Sequence, residues 1–341
     1  MSDAPLVSIL VLNYNGRHFL DECFDSLDAQ TFQDFEVIVV DNGSTDGSVP
    51  YLQERCTGRW QLILNANNVG FAEGNNQALR QSRGRFVVFL NNDTRVDSDW
   101  LAELVAAAEA HPEAGMFACQ IRSYDAPETM DTSGIIVYRD GMSRGQGRLE
   151  PAERYATPME MFAPSCCAAL YRREVLDLVG GFDREFFAYC EDLDLGMRAR
   201  LAGYTCWFVP TARVYHHYSG TGGKYSPLKA FLVERNHLWI LIKLFPKRMI
   251  LLSPWHTFVR YALQAYGVLT GRGASGKFAG SLPAYHLLLV LIRAYWAALL
   301  ALPRLLRERG EVRAYAKASR KEIETWFRRF GISAVELCLK D

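Results

Sequence analysis

The chain has 341 residues, 49% hydrophobic and 22% charged, so it can bury a large core and is not a disordered chain. Its 38 basic side chains balance 38 acidic ones, but unevenly: residues 1–237 carry 21 Lys+Arg against 32 Asp+Glu, and residues 238–341 carry 17 against 6. An acidic front and a basic back suit a catalytic part joined to a part that meets anionic lipid, and the mixing of basic residues with long apolar runs argues against a nucleic-acid partner.

The first apolar run, Leu6 to Leu12, predicts a strand ended by NYNG, and the period of Phe19, Leu20, Cys23 and Leu27 predicts a helix over 17–30. A second strand is expected over Phe35 to Val40, stopped by DNGSTDG, then a helix from Ser48 to Arg55 and a strand from Gln61 to Leu64. NANNVGFAEGNN opens a helix running to Arg83, and Arg85 to Leu90 is an unbroken apolar strand of the kind buried on both faces. Repeated βα units with short connections predict an α/β, doubly wound, mostly parallel sheet flanked by helices. Ligands of such sheets bind outside the carboxyl ends of the strands, where Asn13, Asp41, Asn68 and Asp93 fall. Taken singly, each is an ordinary turn or cap residue; four at successive strand ends indicate a site.

Eight cysteines form no CxxC pair and no zinc spacing, and MSDAPLVSIL lacks the basic n-region of a signal peptide. Reduced thiols and action inside the cell are expected.

VSILVLNYNG, VIVVDNGSTDGS, NNVGFAEGNN, FVVFLNNDT, GGFDREFFAYCEDLDLGMRARLAGY and ARVYHHYSG, in this order, resemble the family 2 glycosyltransferases of the GT-A fold, over roughly residues 6–245. They are most similar to the bacterial branch with rhamnosyltransferases and galactofuranosyltransferases. The resemblance implies a catalytic domain over 1–237, with a nucleotide-binding half to about 95 and an acceptor-binding half over 96–237.

On this resemblance, Asp41 accepts from the imide N–H of the base, Leu12 and Asn13 line base and ribose, and Gly70 and Phe71 bring backbone close to the nucleotide. Asn68 and Asn92 count with them. Asp93 takes the last place of the family's DxD motif and binds Mg²⁺ or Mn²⁺ with the donor diphosphate. The motif's first two places are Asn91 and Asn92, so one carboxylate serves and the cation depends on phosphate oxygens. A second ligand is implied at His216, with His217 as the alternative. Asp192 matches the base that takes the acceptor proton, and Glu191 beside it is placed to hold acceptor hydroxyls, with two close carboxylates tending to raise one pKa. Asp194 and Arg198 suit an i,i+4 ion pair, and Arg198 is also counted among the nucleotide-side residues. Arg144, Arg148 and Arg172 are candidates for phosphate, and Arg235 for an acceptor pyrophosphate. Cys166 and Cys167 are expected to pack near the sugar without thiol chemistry.

Residues 238–341 are expected to be helical, basic and apolar. PAYHLLLVLIRAYWAALLALP, at 283–303, has a spanning length but carries Arg293 and His286, which favours helices lying in the membrane interface. The expected activity is inverting transfer from a nucleoside-diphosphate sugar, dTDP-L-rhamnose first and UDP- or GDP-sugars second, to a lipid-linked saccharide at the cytoplasmic face of the membrane. A non-catalytic nucleotide-sugar binding protein of the same fold is the alternative. A nucleotidyltransferase would need a glycine-rich basic loop of which NYNGRHF is a poor version.

Overall fold

The apolar runs pair into one mixed sheet in a computed structural model that describes residues 4–217, 226–273 and 284–340, with side chains from 288 in the last segment. Val7–Asn13 (β1), Phe35–Asp41 (β2), Trp60–Leu64 (β3) and Phe86–Asn91 (β4) alternate with helices Arg17–Asp28 (α1), Ser48–Arg55 (α2) and Phe71–Gln81 (α3). These agree with the expected elements to within a few residues at each end. β1 pairs in parallel with β2 on one side and β4 on the other, and β2 pairs with β3. Val7, Ile9, Val37, Val39, Phe86 and Val88 sit in one core beneath α1 and are fully or almost fully buried. Each such side chain contributes roughly 1.5–3 kcal/mol, which fixes strand register, because a one-residue slip would turn the whole set outward.

The chain then leaves the simple alternation. Thr94–Val96 (β5) precedes helix Trp100–Ala110 (α4), the long strand Ala114–Ser123 (β6) and the short strands Met130–Thr132 (β7), Ile135–Val137 (β8), Ser143–Gly145 (β9) and Met159–Met161 (β10). Ala168–Arg172 (β11) inserts antiparallel between β4 and β6, followed by helices Arg173–Val179 (α5) and Glu191–Leu201 (α6) and strand Thr205–His216 (β12). The path across the sheet is β10-β12-β6-β11-β4-β1-β2-β3, with β5 on β12 and β7 on β6. The observed architecture is the expected α/β one: a parallel half, β4-β1-β2-β3, joined to a mixed half through β11.

Two compact units divide the described residues: 4–134, 145–199 and 204–217 in the first, and 135–144, 200–203, 226–273 and 284–340 in the second. The boundary expected at 237/238 is displaced, because Pro227–Leu244 (α7) is one continuous helix across it and belongs wholly to the second unit. Lys247–Thr270 (α8), Ala284–Leu300 (α9), Leu302–Tyr315 (α10), Arg320–Arg329 (α11) and Ala334–Leu339 (α12) follow, so the back of the chain is helical as expected. Residues 218–220 of the YHHYSG segment and Pro283 lie outside the described residues, as does the side chain of His286.

Candidate active site

Four strand ends, of β1, β2, β4 and β12, and one helix start supply the polar groups of the first unit. At the end of β1, Asn13 is fully buried; its Nδ2 donates to Asp41 Oδ2 at 2.7 Å, and its Oδ1 accepts from Asn92 Nδ2 at 2.6 Å. Register puts Asn13 opposite Asp41, so a chain of hydrogen bonds joins the ends of β4, β1 and β2. Asp41 Oδ1 also accepts from the Ser44 amide at 2.9 Å. The fully buried carboxylate thus shapes the loop after β2 and has used two of its roughly four acceptor positions. Asn92 bonds inward, into this chain.

Asn42 holds the neighbouring loop. Its Oδ1 accepts from Asn65 Nδ2 and the Val69 amide, and its Nδ2 donates to Asn68 Oδ1 and the Gly70 carbonyl. Asn68 Oδ1 accepts also from the Gly70 amide, so this oxygen holds the loop itself. Gly70 is at φ +90°, and a Cβ there would lie 2.6 Å from Phe187 Cδ2 and 2.7 Å from the Phe187 carbonyl oxygen. The close approach that demands glycine is therefore to the segment preceding Glu191, where the sequence reading had set it against the nucleotide. Phe71 packs edge-on against Phe182, and the half-buried Leu12 lies under Gly74 of α3. Gly70→Ala is expected to lower unfolding stability by ~2 kcal/mol or more, from positive φ together with overlap, as read by urea melts.

The corner formed by Asp93 and His216 is set by sheet register. β5 runs antiparallel to β12 with Thr94 opposite His216, and the His217 amide donates to the Asp93 carbonyl at 3.0 Å. This brings His216 Nε2 to 3.3 Å from Asp93 Oδ1, while His216 Nδ1 lies 2.7 Å from Asp131 Oδ2. His217 points elsewhere: its ring stacks on Tyr124 at 3.6 Å between centroids and sits 3.7 Å from Glu22. Of the two histidines, His216 is the one beside Asp93. Asp131, which sequence reasoning did not single out, orients the imidazole, and Arg148 Nη1 lies 3.2 Å from its other oxygen. Burial disfavours a charged His216, but Cys167, Asp131 and Asp93 around it outweigh burial and hold its pKa well above the usual value.

This donor set fits a hard divalent cation. Asp93 Oδ1 and His216 Nε2 are separated by close to the ~3 Å between adjacent ligands of an octahedral ion bound at about 2.1 Å. The carboxylate on Nδ1 is the partner that a ligating histidine commonly has. No group of three or more His, Cys, Asp or Glu among the described residues forms a cage; Asp93 and His216 would be two ligands of a cation whose other positions went to water and phosphate.

The acid pair opens α6 behind a strained approach. Phe187, Tyr189 and Cys190 all have φ between 66° and 68°, a region non-glycine residues avoid, and they turn the chain so that Glu191 and Asp192 head the helix. Asp192 Oδ1 accepts from the Leu193 amide at 2.8 Å. Burial raises its pKa to about 6, opposed by backbone N–H groups of Leu193, Asp192 and Cys166. Glu191 is pushed higher, to about 8, first by burial and then by the charge of Asp192, and its Oε2 has no hydrogen-bond partner among the described residues. Cys166 feels both carboxylates, while the adjacent Cys167 neighbours His216, Asp93 and Asp131. This dipeptide thus lies between the acid pair and the Asp93–His216 corner. Both thiols are buried with raised pKa values, so they stay protonated and serve packing.

A raised carboxyl pKa costs stability in a definite window. Below the ordinary value of 4.5 the folded and unfolded states both hold the Glu191 proton; between there and about 8 only the folded state does, so stability falls as pH rises through that range. Glu191→Gln is expected to stabilise the protein by ~1–3 kcal/mol at pH 8 and hardly at all near pH 4.5. Melting temperatures of the two proteins at both pH values check this.

Four arginines expected at donor or acceptor groups are committed elsewhere. Arg172 is buried and donates to the carbonyls of Ala108, His111 and Ala114, closing the end of α4; withdrawing it would cost roughly 1–3 kcal/mol for each carbonyl left bare. The Asp194–Arg198 ion pair is present at 2.7 Å, but the rest of the Arg198 guanidinium goes to the carbonyls of Val179 and Gly181, so it does not bind nucleotide here. Arg144 belongs to the second unit and donates to the Glu336 and Lys340 carbonyls at the end of α12. Arg235, in the same unit, lies over the Trp239 ring at 4.2 Å with Nε donating to Asn236 Oδ1. An open cavity of about 450 Å³ near Glu36, Arg59 and Arg83 lies at the amino ends of the strands, away from these clusters.

The model of glycosyl transferase family 2 matches residues 8–180. O-antigen biosynthesis protein RfbC of Myxococcus xanthus is 32% identical over 228 residues, 64% of this chain and 18% of that protein. The chain likewise spans only 26% of the uncharacterized protein y4gI of Sinorhizobium fredii, at 30% identity over 235 residues, 65% of this chain. N-acetylglucosaminyl-diphospho-decaprenol L-rhamnosyltransferase of Mycobacterium tuberculosis is 28% identical over 272 residues, 69% of this chain and 86% of that enzyme. The solved mannosyltransferase PcManGT of Pyrobaculum calidifontis, in complex with GDP-Man and Mn²⁺, superposes with a TM-score of 0.53 at 21% identity, over 92% of this chain and 86% of its own. The family model spans half of the chain and the fold is shared with the solved structure, so this protein belongs to glycosyl transferase family 2 and has the GT-A fold.

Proposed function

We propose that the protein is an inverting glycosyltransferase that moves a sugar, L-rhamnose from dTDP-L-rhamnose first, onto a lipid-linked saccharide at the cytoplasmic face of a membrane. The observation that carries this reading is the pairing of one base, Asp192, with a separate phosphate-side corner at Asp93 and His216. Inversion needs one displacement at C1, with a base on the acceptor side and charge stabilisation on the leaving side. Asp192 takes the proton of the acceptor hydroxyl as it attacks C1, and its Oδ1 hydrogen bond keeps the carboxylate aimed. Glu191, protonated near neutral pH, donates to an acceptor oxygen and adds no second negative charge. Asp41, Asn13 and the backbone around Leu12 cradle the nucleoside. Asp93 and His216 would hold Mg²⁺ or Mn²⁺, which supplies Lewis-acid charge to the departing diphosphate. The names of the mycobacterial relative and of the PcManGT complex with Mn²⁺ support the choice of acceptor, donor class and cation.

The test is nucleotide release from a panel of dTDP-, UDP- and GDP-sugars, with and without Mg²⁺ or Mn²⁺, in the presence of lipid-linked acceptors. Selective, cation-stimulated release from the dTDP-sugar is expected. Binding without turnover for every donor would favour a non-catalytic binding protein, and selectivity for UDP- or GDP-sugars would move the donor.

A further inference from the structure

Helix α8 is turned inside out. Leu251, Trp255, Phe258, Tyr266 and Leu269 are 46–85% exposed, and at 100° per residue they fall within roughly 80° of one another on the helix. Ser253, Thr257, Arg260 and Gly267 are the buried residues and occupy the opposite face. A helix on a water-facing surface has the reverse pattern.

The buried polar face is fully engaged, so the inversion is built in. Arg260 Nε donates to Asp140 Oδ2 at 2.7 Å and Nη1 to Glu234 Oε1 at 2.8 Å; Thr257 reaches the same Asp140 oxygen, and Tyr261 the other oxygen of Glu234. Rolling the helix to hide its leucines would break this network and leave the Asp140 and Glu234 carboxylates without their arginine. α9 repeats the arrangement: Ala294 and Ala298 face inward while Leu288, Ile292, Trp296 and Leu299 are exposed. Tyr261 and Tyr295 Oη atoms, 3.4 Å apart, join the two helices.

We infer that the outward faces of α8 and α9 are a bilayer-docking surface that takes anionic phospholipid, with the helices lying in the interface plane. Charge selects this occupant over a second copy of the chain. Exposed Lys247 and Arg248 open α8 and exposed Arg272 follows its end, Arg293 stands exposed within the apolar face of α9, and residues 238–341 carry 17 basic side chains against 6 acidic. Two like faces this basic repel each other, whereas phosphate headgroups neutralise them. Exposed tryptophan and phenylalanine with flanking cations is the composition of an interfacial helix. No single described helix is long and apolar enough to cross a bilayer; the α9–α10 pair has the length and composition together, but is bent by 59°. The inference concerns the second unit alone and goes beyond the proposed chemistry.

The test uses the full chain with vesicles of phosphatidylcholine, with and without a third of phosphatidylglycerol, and with brominated lipids as tryptophan quenchers. Salt-sensitive binding to the anionic vesicles, quenching of tryptophan fluorescence, and release by alkaline carbonate are expected. Leu251→Glu with Trp255→Glu should weaken vesicle binding ~10-fold or more while nucleotide release from soluble donor is unchanged. Because that release reads the catalytic unit separately, loss of either inference leaves the other standing. The wild-type quenching result stands even where the double variant folds poorly. A concentration-dependent dimer that shields the exposed tryptophans without vesicle binding would overturn the inference, as would resistance to carbonate, which marks a span.

Discussion

Asp192→Asn is expected to lower kcat by ~10³-fold or more, at the upper part of the range for a general base, with donor affinity and melting temperature nearly unchanged. The effect is large because nothing else can replace it. Among neighbouring groups Glu191 holds its proton near neutral pH, the Cys166 and Cys167 thiols are pushed up by burial, and Asp194 is tied to Arg198. The amide keeps the shape and the Leu193 contact but cannot accept a proton. The same burial predicts the pH profile. An ordinary aspartate would keep a base ionised down to about pH 4, whereas Asp192 reaches half-protonation near 6, so activity should fall as pH drops through 6. A profile of kcat/KM between pH 5 and 8 reads this limb, and Glu191→Gln should leave it nearly in place, because Glu191 is already uncharged there.

The second large effect is at the cation corner. Asp93→Asn is expected to cost ~10²–10³-fold in kcat/KM at fixed Mn²⁺, because the motif supplies one carboxylate where relatives of the DxD pattern have two. Asp131→Asn should cost ~10–100-fold in cation affinity, seen as a higher half-saturating Mn²⁺ concentration, with the plateau rate largely restored at excess metal. This split separates a ligand from a residue that orients one. A variant at His217, which stacks on Tyr124, should leave the Mn²⁺ dependence alone.

How much of this was legible in the sequence follows the range of the interactions. Strands β1 to β4 and helix α2 were readable because their signals are local: apolar runs, turn residues and periodicity. The insertion of β11 between β4 and β6 was not, since pairing across some 80 residues leaves no periodic trace. Asp41, Asp93, Glu191, Asp192 and His216 were singled out through ordered motifs. Asp131 was missed because its role exists only once β7 is folded beside β6 and β12; the one hint was an acidic residue in a short apolar strand before Ser133-Gly134. Asn42 was hidden inside a motif credited to its neighbour Asp41. The arginines misled for a chemical reason: a guanidinium suits phosphates and helix-end carbonyls equally, and Arg172, Arg144 and Arg198 serve the latter. The reversed polarity of α8 was also beyond pattern reading, because a buried network with Asp140 and Glu234 decides which face turns inward.

The most direct measurement is the anomeric configuration of the product, read by NMR from the one-bond C1–H1 coupling of the transferred sugar, with whichever donor the panel selects. A single displacement assisted by Asp192 predicts inversion at C1 in every product molecule. Retention would contradict the account, since it requires a second displacement or a front-side route in which Asp192 is not the base.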